Sequence, residues 1–88
     1  MVLNDIGQSV KQYILEEFLP GEDPKELNEQ TPLIKGGILD SIATIKMVIF
    51  LEECFTIELS PGEVTFDNLN TIADIARLVE KKLKGAKA

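Results

Sequence analysis

The sequence predicts an all-α fold, a small four-helix bundle of three longer helices and one short one. Three observations predict it. Apolar residues recur at three- and four-residue steps in separate stretches, no stretch alternates apolar with polar residues as a half-buried strand would, and no internal repeat or low-complexity segment interrupts the chain. With 88 residues, 44% of them hydrophobic and 27% charged, the chain can bury one core and no second. A single domain over 1–88 is expected, with its core from about 3 to 84.

In the first stretch Leu3, Ile6, Val10, Tyr13, Ile14 and Phe18 share one side of a helix from about 4 to 19, with Asn4 as its cap and Pro20-Gly21 as its stop. From Pro20 to Leu39 the residues Pro24, Pro32, Gly36 and Gly37 remove any periodicity, leaving Leu27, Leu33 and Ile34 as apolar anchors. Loops beyond roughly 12 to 15 residues are uncommon in a compact domain and are often functional. This one predicts an overhand link between the first two helices rather than a tight hairpin, and it delivers the chain to Asp40-Ser41.

The second helix is expected from about Ser41 to Phe55, capped by Asp40 or Ser41. Thr56 to Leu59 turns the corner. Ser60-Pro61-Gly62-Glu63 joins capping-box spacing to a proline at the first helical position, which predicts a short helix from about 61 to 66. Thr71 and Asp74 then cap a last helix carrying Ile72, Ile75, Ala76, Val79 and Leu83, with Lys81, Lys82 and Lys84 at the end that the helix dipole favours for cations.

The second helix is apolar on two sides. At about 100° per residue from Ser41, a broad arc of Ala43, Met47, Val48, Phe50, Leu51, Cys54 and Phe55 reads as the core face. Ile42, Ile45 and Ile49 fall at roughly 40° to 100°, beside Ser41, flanked by Glu52 on one side and by Glu53 and Lys46 on the other. Three isoleucines within a charged rim have the composition of a docking patch. Periodicity alone leaves equally open a bundle that wraps far enough to bury both stripes.

Composition excludes many chemistries. The chain has no histidine, the usual base of a nucleophile and the commonest metal ligand. Its one cysteine, Cys54, allows no internal disulfide and reads as a small core residue without chemistry. A net charge of −6 argues against nucleic acid and for protein partners with basic surfaces. The longest apolar-dominated segment, Ile42 to Leu51, is interrupted by Thr44 and Lys46 and falls far short of the ~20 residues that span a bilayer. The first ten residues contain Asp5 and Gln8 and show no export signal, so no membrane association and a cytoplasmic location are expected. The acidic stretch from Asp23 to Ile34 has Asn28 and Ile34 where an EF-hand needs glycine and glutamate, so no metal site is expected there. Gly36-Gly37 lacks phosphate-loop spacing and reads as backbone freedom before the helix.

The run Thr31-Pro32-Leu33, then Gly37-Ile38-Leu39-Asp40-Ser41-Ile42, then Leu51-Glu52-Glu53-Cys54-Phe55 and Ile57-x-Leu59, resembles the acyl and peptidyl carrier protein family from the first helix to about Leu83. The resemblance implies the acyl carrier type of bundle. It implies that Ser41, flanked by Asp40, accepts 4′-phosphopantetheine from coenzyme A through a phosphopantetheinyl transferase, as an attachment point and not a catalyst. The arm's thiol would hold cargo as a thioester, and Ile42, Ile45, Lys46, Ile49, Glu52 and Glu53 would meet partner enzymes. Lys46 departs from the fatty-acid form, where that place is often acidic.

The Gly-Ile-Leu-Asp-Ser-Ile wording is similar to free-standing aminoacyl carriers of the D-alanyl, prolyl and pyrrolyl kind. That implies an amino-acid cargo, proline or a relative, loaded by a separate adenylation enzyme and passed to an oxidase or condensing enzyme of a natural-product pathway. A monomer is expected. The alternatives are a fatty-acid or polyketide acyl carrier and, in another class, an unmodified helical interaction module in which Ser41 merely caps a helix.

Overall fold

The computed structural model describes residues 3–19, 21, 25 and 27–87, the side chains of 3, 4, 86 and 87 excepted. Among the described residues four α-helices appear: α1 (Leu3–Glu17), α2 (Ser41–Phe55), α3 (Phe66–Leu69) and α4 (Ile72–Lys87), with a 3-10 turn at Pro61–Glu63 between α2 and α3. Among the described residues there is no strand, and no helix is long and apolar enough to cross a membrane.

α1 presents Ile6, Val10 and Ile14 to the core at four-residue spacing, all fully buried, and packs chiefly on α4 through Ile72, Ile75, Ala76 and Val79. The helix starts at Leu3, so Asn4 lies inside the first turn rather than at the cap. It ends at Glu17, two residues before the expected end, although the Phe18 and Leu19 amides still bond the Ile14 carbonyl at 2.9 and 3.1 Å. The expected stop at Pro20 and the break at Pro24 lie outside the described residues.

α2 buries a narrower stripe than its apolar arc suggests: Ala43, Met47, Leu51 and Phe55 face the core, while Val48 and Phe50 are half-buried. Cys54, expected in the core, is exposed. It falls within the apolar arc but lines the open groove between α1 and α2 with Glu17, Tyr13 and Phe50, the last two stacked at 4.0 Å. The helix closes on Thr56 in the left-handed conformation (φ 55°), which turns Ile57 into the core.

The expected short helix divides in two. Ser60 and Glu63 do form the capping box, but it closes only the 3-10 turn, and a separate cap, Thr65 Oγ1 accepting from Asn68 N–H at 3.3 Å, starts α3. Thr71 caps α4 as expected, accepting from Asp74 N–H at 3.0 Å. Glu63 ties the connector to α4: its Oε1 accepts from Ser60 N–H at 2.9 Å, Ser60 Oγ–H at 3.1 Å and Lys82 Nζ at 2.9 Å.

The long first loop is held from the far end of the chain. Asn70, between α3 and α4, accepts the Leu33 amide on its backbone carbonyl and the Ile34 and Lys35 amides on Oδ1, the last two at 3.1 Å each. The Ala73 amide donates to the Glu29 carbonyl at 3.1 Å, and Leu27, Leu33 and Leu39 are buried. Between them Gly36 and Gly37 make a tight turn: a Cβ on Gly36 would lie 2.4 Å from the Pro32 oxygen, and Gly37 has φ +84°.

Two stability predictions follow from these ties. Asn70→Ala leaves two loop amides without their acceptor and should cost about 1 to 2 kcal/mol by chemical denaturation, whereas Asn70→Asp, which keeps an oxygen there, should retain most of that stability. The Ser60 amide, then Lys82, hold the Glu63 carboxyl below its ordinary 4.5, at about 2. Its contribution is therefore full above about pH 4.5 and is lost as pH falls toward about 2. Thermal unfolding of wild type and Glu63→Gln should show the wild-type advantage shrinking across that window; an advantage that persists at pH 2 would contradict the assignment.

Candidate functional site

Asp40 is the N-cap of α2, with extended backbone (φ −86°, ψ −169°). Its Oδ1 accepts from Ala43 N–H at 2.8 Å, and its carbonyl accepts both the Thr44 amide at 2.9 Å and the Thr44 hydroxyl at 2.8 Å. The cap is thus Asp40 and not Ser41. Ser41 becomes the first helical residue, exposed, and among the described residues nothing hydrogen-bonds its hydroxyl.

That arrangement offers no activation of the serine as a nucleophile. The neighbouring carboxylate is engaged by Ala43 N–H, and the chain has no histidine to take the proton. The hydroxyl is suited instead to modification by an enzyme that brings its own base.

The residues fit the arm that the motif implies. Phosphopantetheine joins a serine through a phosphodiester, which carries a negative charge. At Ser41 that charge would sit at the N-terminus of a 15-residue helix, where the dipole and the Ser41 and Ile42 amides, which have no partner within the helix, favour an anion.

Beside Ser41 the second apolar stripe is bare: Ile42 is 67% exposed, Ile45 61% and Ile49 49%. The bundle therefore does not wrap both sides of α2. Lys46 lies next to them with its Nζ 3.6 Å from Glu17 Oε1 of α1, both side chains about half exposed. Glu53 is exposed. Glu52, expected on the rim with it, is half-buried, and its Oε2 accepts from Leu59 N–H at 2.9 Å. It braces the turn after α2 because that turn leaves the Leu59 amide pointing back at the helix.

Sequence reading along α2 missed what flanks the patch. On one side Thr44, Ile45, Val48 and Ile49 face Pro61 and Val64 across an apolar groove of about 420 Å³. On the other, α1 contributes Tyr13 and Glu17 to a second groove. Phe66, on α3, is 49% exposed. A wheel drawn for one helix carries no signal for its neighbours.

Comparison with known proteins gives the family. The family described as "Phosphopantetheine attachment site" matches residues 12–79. The D-alanyl carrier protein of Streptococcus pyogenes serotype M5 (strain Manfredo) is 32% identical over 75 residues, which cover 83% of this chain and 94% of the relative. The D-alanyl carrier proteins of serotype M49 (strain NZ131) and serotype M1 match to the same extent. The matched span takes in the last part of α1, the loop, the whole of α2 and α4 as far as Val79. The chain belongs to the phosphopantetheine-binding carrier proteins: it bears a covalent 4′-phosphopantetheine, works with a phosphopantetheinyl transferase, and is a carrier, not an enzyme.

Proposed function

We propose that Ser41 is the attachment point of the arm and that the cargo is an amino acid, held as a thioester and shuttled between enzymes of a biosynthetic pathway of the natural-product type. The observation that carries the site is the exposed Ser41 hydroxyl, clear of the cap, at the N-terminus of α2 beside the bare isoleucines. The amino-acid cargo is supported by the D-alanyl carrier relatives, so D-alanine is the first cargo to offer; proline, suggested only by the wording around Asp40-Ser41, is the second.

When bound, the arm supplies a thiol whose thioester is open to nucleophilic attack, and the tether raises the effective concentration of cargo at each visiting active site. The protein's own share is presentation. Asp40 orients the start of α2, the helix N-terminus favours the phosphodiester, and Ile42, Ile45 and Ile49 give each partner an apolar surface, with Lys46 and Glu53 at its edge. An adenylating ligase would load the cargo, and an oxidase or condensing enzyme would consume it.

Intact mass after incubation with coenzyme A and a broad-specificity transferase should rise by one phosphopantetheine, located on Ser41 by fragmentation. Ser41→Ala should stay unmodified while remaining folded, because its hydroxyl makes no bond to a described residue; a modified Ser41→Ala protein would refute the site. Ile45→Glu should raise the transferase KM by roughly 10-fold, as removal of an interface anchor commonly does. Its thermal midpoint should barely move, since Ile45 is 61% exposed. A collapse of stability would show instead that Ile45 belongs to the core.

A further inference from the structure

Asn70 joins two parts of the molecule that the chain itself keeps far apart. It is the C-cap of α3, its amide donating to the Phe66 carbonyl at 3.0 Å, and Thr71 beside it caps α4, so its own place is fixed from both sides. Its Oδ1 accepts from the Ile34 and Lys35 amides at 3.1 Å each, and its carbonyl accepts from the Leu33 amide. Among the described residues no other side chain accepts from an amide between Leu33 and Leu39.

From that anchor a short relay of hydrogen bonds reaches Ser41. The Gly36 amide bonds the Pro32 carbonyl and the Gly37 amide the Ile34 carbonyl, both at 3.1 Å, and the Leu39 amide closes the turn on the Leu33 carbonyl at 2.9 Å. Asp40 follows at once, and its Oδ1 takes the Ala43 amide at 2.8 Å. The Ser41 hydroxyl bonds no described residue, so its direction is inherited from the loop behind it and the helix ahead. Close packing of α2 does not replace the loop, because the backbone of α2 approaches α4 much less than that of α1 does.

A serine without a base of its own contributes one thing to its modification, the place of its oxygen. A displacement of about 1 Å in a reacting group can cost up to ~100-fold in rate. We propose that Asn70 is a positioning residue for the phosphopantetheinylation of Ser41, holding the loop so that the hydroxyl meets the transferase in one orientation. The transfer forms a bond from Ser41 Oγ to the phosphorus that carries pantetheine and breaks the pyrophosphate of coenzyme A. Adenosine 3′,5′-bisphosphate leaves, and the hydroxyl proton passes to a base of the transferase. The inference rests on the reading of Ser41 as the attachment point, and it assigns part of the rate to a residue outside α2. Asn70 lines neither groove beside the isoleucine patch, so removing its side chain leaves that surface intact and acts on kcat rather than KM.

The test follows modification of the full-length apo protein by intact mass, with coenzyme A and a broad-specificity transferase, well below every variant's thermal midpoint. Asn70→Ala should lower kcat by ~10-fold with KM within about twofold. Asn70→Asp should recover most of kcat, since it keeps an oxygen for both amides and places its charge just before α4, where the helix dipole favours an anion. Ile14→Val, a loss of one buried methylene on α1, is the stability control and should leave kcat within about twofold of wild type. Should Asn70→Ala fail to fold, Asn70→Ser, whose shorter hydroxyl cannot serve both amides, should show an intermediate kcat.

Amide exchange of the apo proteins locates the effect. Ile34, Lys35 and Leu39 should exchange severalfold faster in Asn70→Ala, with Met47 and Leu51 no faster than in the control. A kcat that matches the control, a loss wholly in KM, an Asn70→Asp protein no better than Asn70→Ala, or loop amides that exchange no faster overturns the positioning role while leaving Ser41 in place. Absence of any modification of wild type by an active transferase, or an adduct located elsewhere than Ser41, overturns the attachment and the positioning role with it.

Discussion

Three consecutive loop amides converge on one residue, and the presentation of Ser41 depends on it. The amides of Leu33, Ile34 and Lys35 all donate to Asn70, one to its backbone carbonyl and two to its side-chain oxygen. A connection as long as the one before α2 has many backbone groups to satisfy and little regular structure to do so. By holding the loop against the start of α4, Asn70 lets Leu33 and Leu39 enter the core on either side of the glycine turn. The Leu39 amide then bonds back to the Leu33 carbonyl at 2.9 Å, so the residue before Asp40 is fixed and the cap forms in a defined direction.

The second consequence concerns α2. Fully burying an isoleucine is worth roughly 1.5 to 3 kcal/mol, so leaving Ile42, Ile45 and Ile49 bare forgoes several kcal/mol that a wider bundle would gain. The fold tolerates this because Met47, Leu51 and Phe55 on the opposite row, together with Ile6, Val10 and Ile14 of α1, already make a continuous core with α4. Lone exposed apolar residues need no explanation, but three side by side next to a modifiable serine form the kind of patch that protein partners cover.

Much of this was legible in the sequence where a single local signal decided the outcome. The bounds of α2 follow from Asp40 at one end and the loss of helical spacing after Phe55 at the other, and the Thr71–Asp74 cap of α4 reads the same way. The rest depended on contacts between elements. Cys54 shares the apolar arc, yet it lines the open groove between α1 and α2 and stays outside the core, which no wheel of α2 alone shows. Glu52 has the spacing of a rim residue, but the turn through Thr56 brings the Leu59 amide to it. The capping box at Ser60 was real, whereas the length of what it caps was set by Glu63 bonding Lys82 of α4 and by a fresh cap at Thr65. Helix propensity over so short a segment cannot hold against such tertiary ties.

A carrier must be recognised by several enzymes and released by each, which limits how strongly any one contact may bind. An apolar patch of three isoleucines with a sparse charged edge suits that requirement, since exposed ion pairs add little affinity while steering the approach of a basic partner to a chain of net charge −6. The internal Lys46–Glu17 pair fits the same logic. It offsets part of the acidic charge at the middle of α2, while Glu53, about two turns further on, stays exposed. On the proposed reading, a partner that docks along α2 has its register set by the helix, and Ser41 then lies in one place relative to the incoming active site. On that proposed reading the serine needs no catalytic group of its own: precision is supplied by a rigid helix and a fixed cap, and the chemistry by whichever enzyme docks.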